Sequence, residues 1–294
     1  MAKFKIQTVA IVTILLLLLF TFAYYRGGRK IYTVDKHLAR NFLESQYVPE
    51  AGLLRAATLA NVEDSRRIYI AADNLLAARA LAVLGSPLAS NILTMLNSKY
   101  RGGFNGLHEI LIGVDIPDKF YQRYDEYLGN VSSSKFGVLD IYYERRKMET
   151  IDEWDRYADL VVYKALKALL HCSRAYAEQL FSILVSMWDG YGFRDKAYNG
   201  LYESYKVALA IYLYKALKEA DSNLVGKYKD LYEKWNMILA LMQRDDGGIV
   251  THYRVSERGE IIPVGDANTE TTSITILALY SEYPKKIGKH CRYS

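Results

Sequence analysis

The stretch DGGIVTHYRVSERGEIIPVGDANTETTSITILALY, residues 246–280, decides how the chain is read. A glycine pair precedes Ile249, and the run Ile249 to Arg254 turns near Gly259 and returns through Ile261 and Ile262, the pattern of a β-hairpin. Glu270 then opens a segment that sets Ile274, Leu277 and Ala278 at helical spacing. The layout recurs upstream. Gly52-Leu53, Gly103-Phe104, Gly137-Val138 and Gly192-Phe193 each set a glycine before an apolar residue, and the spacings through to Gly248 are 51, 34, 55 and 56 residues. Such periods predict a repeat with one helical hairpin per unit.

The helices that follow the glycines show apolar stripes. Val161, Val162, Ala165, Leu166, Leu169 and Leu170 share their spacing with Ala208, Leu209, Tyr212, Leu213, Ala216 and Leu217. Leu75, Leu76, Ala80 and Leu81 form a shorter version. Return helices are expected at about 86–98, opened by Ser86-Pro87, and at about 117–128, 174–188 and 224–243. Short polar turns such as Asp221-Ser222-Asn223 make neighbours antiparallel. Residues 129–135 read as a loop holding the glycosylation sequon Asn130-Val131-Ser132. The expected class is all-α: an α/α toroid of about five helical hairpins with short β-hairpin loops, preceded by one N-terminal transmembrane helix.

Ile6 to Tyr25 supplies the 20 apolar residues that such a helix needs, flanked by basic residues and ending on Tyr24 and Tyr25. A cleaved signal peptide, with Thr21-Phe22-Ala23 as a small-x-small site, and a buried core helix are the alternatives. The expected division is a membrane anchor at 1–30, a helical domain at 31–283 and a basic tail at 284–294. The chain would then be a single-pass protein of the cell membrane, with lipid as a partner of the N-terminal helix and the domain on the extracytoplasmic side. Removing Lys3, Lys5, Arg26, Arg29 and Lys30 from the 38 basic residues leaves 33, equal to the 33 acidic ones. The body therefore lacks the basic excess of a nucleic-acid binder, and no nucleic-acid partner is expected.

Gly-Gly turns followed by acid-opened helices, as in Asp246-Gly247-Gly248-Ile249 and Glu270-Thr271-Thr272-Ser273, resemble α/α-toroid proteins, the six-hairpin glycosidases and terpenoid-cyclase-like toroids. Ala72-Asp73-Asn74-Leu75-Leu76 is similar to a helix start in unsaturated glucuronyl hydrolases. The resemblance implies inner and outer helix rings with a funnel above the inner helix starts. Only five glycine units are present, and the Asp-rich signatures of isoprenoid cyclases are missing.

Asp73, Glu109, Asp159, Glu203 and Glu270 lie near the starts of the inner helices, where the helix dipole alone favours a carboxylate. If those starts converge, two carboxyls can act as acid and base on a glycosidic bond. The candidate catalytic residues are Glu270 and Asp73, with Glu203 and Asp189 in reserve. Trp188, Tyr191, Phe193, Arg194 and Asn199 on one turn, and His252, Tyr253, Arg254, Asp266 and Asn268 on the hairpin, suit a glycan ligand, because rings cover a sugar's apolar face and polar groups meet its hydroxyls. Packing between helices explains many of the same tyrosines. His171-Cys172 and His290-Cys291 point apart on a helix and chelate poorly, so neither metal nor cofactor is expected. Cys172 and Cys291 are either a disulfide or two separate thiols. The reading is a carbohydrate-active protein, a glycoside hydrolase or polysaccharide lyase, with a non-catalytic cell-envelope scaffold as the alternative.

Overall fold

The computed structural model describes residues 33–58 and 64–290. The inner helices form because their apolar residues leave no polar face. Helix α6 (Ser204–Glu219) buries Val207 through Leu213 without a break, as expected of a helix enclosed by others. It packs on α4 (Ala158–Leu170) at one side and on α8 (Thr269–Tyr280) at the other. Helix α8 packs in turn on α2 (Leu75–Val83). A short 3-10 turn, His108–Ile112, touches both α2 and α4 and closes the ring.

Outside the ring, α3 (Leu88–Lys99), α5 (Arg174–Ser186) and α7 (Lys229–Leu241) lie on α2, α4 and α6 respectively. Helix α1 (Lys36–Ser45), capped by Asp35 accepting from the N–H groups of His37 and Leu38 at 2.8 and 3.1 Å, covers α8. Helix α9 (Tyr283–His290) lies against α6 and α4.

Three sheets overturn the all-α class: helix makes up about 51% of the protein and strand 22%. β1 (Tyr47–Val48) pairs with β2 (Leu53–Leu54). β3 (Arg67–Tyr69) runs parallel to β5 (Gly137–Thr150), which pairs antiparallel with β4 (Tyr121–Ser133). β6 (Tyr202–Glu203), β7 (Val250–Val255) and β8 (Ile261–Ala267) make the third sheet. The protein is a mixed α and β fold, not a pure toroid. The return helix expected at 117–128 and the loop at 129–135 are both strand β4. Their tyrosines find cross-strand partners on β5, such as Tyr127 opposite Tyr142, and that pairing outweighs the helix-like spacing. The fifth inner helix, expected after Gly103, is only the 3-10 turn.

Among the described residues no helix is long and apolar enough to cross a membrane. The span expected at Ile6 to Tyr25 lies outside the described residues, and so does Cys291. Cys172 Sγ donates to the carbonyl of His290 at 3.6 Å.

The Gly247-Gly248 turn has a steric cause. Gly247 adopts φ +93°, and a Cβ there would meet the Leu38 carbonyl oxygen at 2.0 Å. A Cβ on Gly248 would meet the Ala267 Cβ and the Phe42 ring at 2.5 Å. The turn is pressed between α1 and β8, and only glycine fits there.

Candidate functional site

The starts of α2, α4, α6 and α8 bring their acids to one end of the ring. Glu270 follows Asn268, whose side chain accepts the Thr271 N–H at 3.1 Å and fixes the first turn of α8. The Glu270 side chain keeps 31% of its surface exposed. Burial, then the charges of Glu144, Asp159 and Glu203, push its carboxyl up to about 7, against the opposing pull of Arg123.

Asp73 lies behind it. It is 2% exposed, and its Oδ2 is buried with no hydrogen-bond partner. Burial first, then the charges of Glu270, Glu144 and Asp64, raise it well above the usual carboxylate range. The turn that carries it is a π-helical start, Ile70–Asn74, pinned by Glu144, whose carboxylate accepts from Ala71 N–H at 3.0 Å and Ala72 N–H at 2.6 Å.

His108 faces Glu270, with Nε2 at 3.5 Å from Oε1. Its tautomer follows from its neighbours. The Asn105 carbonyl oxygen accepts from the N–H groups of Leu107 and His108 at 3.1 and 3.3 Å, which turns the amide nitrogen toward Nδ1 at 3.0 Å. An amide nitrogen only donates, so Nδ1 accepts and the ring proton sits on Nε2, on the side of the ring nearer Glu270. Burial, and to a lesser degree the charge of Arg123, push the imidazole down to about 3, so it is neutral. Glu109 holds the same loop by accepting from Gly106 and Leu107 N–H at 2.7 and 3.1 Å.

A cavity of about 720 Å³ is lined in part by Asn105, Phe120, Arg123, Tyr157 and Asp159, and not by Glu270, His108 or Asp73. Asp159 is thus a carboxyl at the start of α4 that opens into free volume. Burial raises its pKa, opposed by Lys206. Lys206 is 2% exposed and bonds both Asp195, at 2.7 Å, and Glu203.

The structure sets Glu270 beside Asp73, with Glu203 close enough to act on Glu270 through its charge. Asp189 belongs to another group. It accepts from Tyr191 and Gly192 N–H at 2.9 and 3.1 Å, from Tyr202 at 2.5 Å, and pairs with Arg194 at 2.6 Å. Burial raises this carboxyl, but the bond from Tyr202, the two N–H groups and the Arg194 charge outweigh it and hold it below the usual range. Trp188 and Phe193 pack on each other and on Trp235. Tyr253 is buried, stacks on Tyr202 and donates to the Tyr191 carbonyl at 2.8 Å. Asn199 is exposed and accepts from Leu201 N–H at 3.4 Å. His252 stands opposite Glu203 and Val264, exposed Arg254 stands opposite Ile262, and Asp266 bonds Arg244 at 3.3 Å.

Residues absent from the sequence-based set are His108, Arg123 and Glu144. Asn105, three residues before His108, is the local signal for the first. Arg123 and Glu144 become visible only once β4 and β5 are paired. Among the described residues no three His, Cys, Asp or Glu side chains converge as metal ligands. No protein family, curated protein or solved structure matches this chain, so the carbohydrate reading gains no support from a relative.

Proposed function

We propose that the acidic cluster at the helix starts is the active site of an acid–base enzyme in which Glu270 is the proton-exchanging group and Asp159 the second carboxyl. The observation that carries this reading is the Glu270 carboxyl, partly exposed, within 3.5 Å of His108 and pushed up to about 7 by burial and by the neighbouring carboxylates. A group with a pKa near the working pH gives and takes a proton with comparable ease. His108 stays neutral, with its Nε2 at 3.5 Å from Glu270, and adds no charge to the site. Asp73 is buried at 2% exposure, and the charges that raise Glu270 are those of Glu144, Asp159 and Glu203, so Asp73 has no direct part in this reading. This moves the catalytic pair from Glu270 and Asp73 to Glu270 and Asp159.

Cleavage of a glycosidic bond, by hydrolysis or elimination, is the reaction we assign to this pair, since it needs one proton donor and a second carboxyl. The test is turnover of a panel of aryl glycosides and polysaccharides, read as new reducing ends for hydrolysis and as ultraviolet absorbance of a new double bond for elimination. Glu270→Gln should lower kcat by about 100-fold or more with KM little changed, the loss typical of a removed general acid or base. A Glu270→Gln protein as active as the parent would end this reading.

A further inference from the structure

Arg123 and Arg146 stand directly opposite each other on β4 and β5. Residues paired in this way point to the same face of a sheet, and like charges there destabilise the pair. Both side chains line the 720 Å³ cavity, on the wall shared with Asp159. Neither belongs to any ion pair among the described residues, whereas the adjacent Arg145 bonds Glu126 at 2.7 Å. Arg123 is half-buried, and one N–H group reaches only the backbone carbonyl of Asn105, at 3.3 Å. The Arg146 guanidinium lies over the Tyr121 ring at 5.5 Å. The diagonal carboxylate, Glu144, is already committed to the N–H groups of Ala71 and Ala72.

The carboxylates of Glu109, Glu144 and Glu270 act on Arg123 through their charge without an ion-pair contact, and each of the two guanidiniums side by side at the cavity wall keeps planar donors for an acceptor. An anion between them satisfies both and removes the repulsion. We propose that the cavity takes an anionic substrate, with Arg123 and Arg146 together gripping its carboxylate or phosphate group. The arginine pair and Asp159 line the same cavity, which Asp152, Glu153 and Lys196 also line. This rests on the acid–base reading for what happens to the bound molecule, but not for its binding.

The test is calorimetric titration of the full-length protein with glucose 6-phosphate, gluconate and neutral glucose. At least one of the two anions should bind saturably and more tightly than glucose, and whichever binds better tells phosphate from carboxylate. Arg146→Ala, at an exposed strand position, should keep its thermal melting point and weaken anion binding about tenfold or more, with Arg146→Lys between the two. Arg123→Gln should do the same, provided its melting curve stays cooperative. Glu270→Gln should bind the anion at least as well as the parent. Glucose binding as tightly as both anions, or Arg146→Ala binding them as the parent does, overturns the inference. If Glu270→Gln keeps full activity while the arginine dependence holds, the acid–base reading fails and the anion site stands.

Discussion

Glu270 titrates at about 7 in the fold, against an ordinary value of 4.5. A folded-state pKa above the unfolded one means that the folded protein holds this proton more tightly. The associated stability is fully present below about pH 4.5 and is lost as the pH rises through about 7. Glutamine is neutral throughout, so Glu270→Gln should match the parent near pH 4 and exceed it at pH 8. The gain at pH 8 should be on the order of 1–2 kcal/mol, discounted because the carboxyl remains partly hydrated. Urea melts at the two pH values measure it, and an equal difference at both would sink the argument. Glu270 and Asp73 were legible because each follows a glycine unit and opens an apolar stripe. Glu144 was not, since a carboxylate that pins another segment's backbone has no local signature. His108 was hidden for a similar reason, because its role depends on an amide whose orientation is fixed by two backbone N–H groups.

The helices could be read from their stripes because each inner helix buries nearly every side, and apolar spacing survives such burial. Strand β4 could not. Ile116, Phe120, Tyr124 and Leu128 recur every four residues and imitate a helix, and only the partner strand β5 settles the matter. The glycine pair before β7 was legible as a turn, but its close packing against α1 was not. Gly248→Ala tests that packing. The added Cβ has to displace the Phe42 ring and Ala267, which should cost about 1–3 kcal/mol without changing the helical circular dichroism of the folded state. A melting point equal to the parent's would mean that α1 yields freely.

The ring is sealed by residues far apart in the chain. Thr269 donates its N–H to the Ala56 carbonyl at 2.7 Å and its hydroxyl to the Arg55 carbonyl at 2.7 Å, and the Tyr280 hydroxyl bonds the Val34 carbonyl. Helix α8 therefore supplies the partner for both α2 and α6. Removing residues 269–290 should leave a chain that retains helix but melts without cooperativity and binds a hydrophobic dye. A sharp melting transition in that truncated chain would show that the remaining helices form an independent core. The same closure has a consequence for synthesis. A nascent chain emerges from its first residue onward, and the apolar flank of α2 has no neighbour until α8 has left the ribosome, some two hundred residues later. Such distant pairings slow folding and leave greasy helices waiting in the open. Dependence on a holding chaperone, relieved in a circular permutant that begins with α8, is the physiological face of this seam.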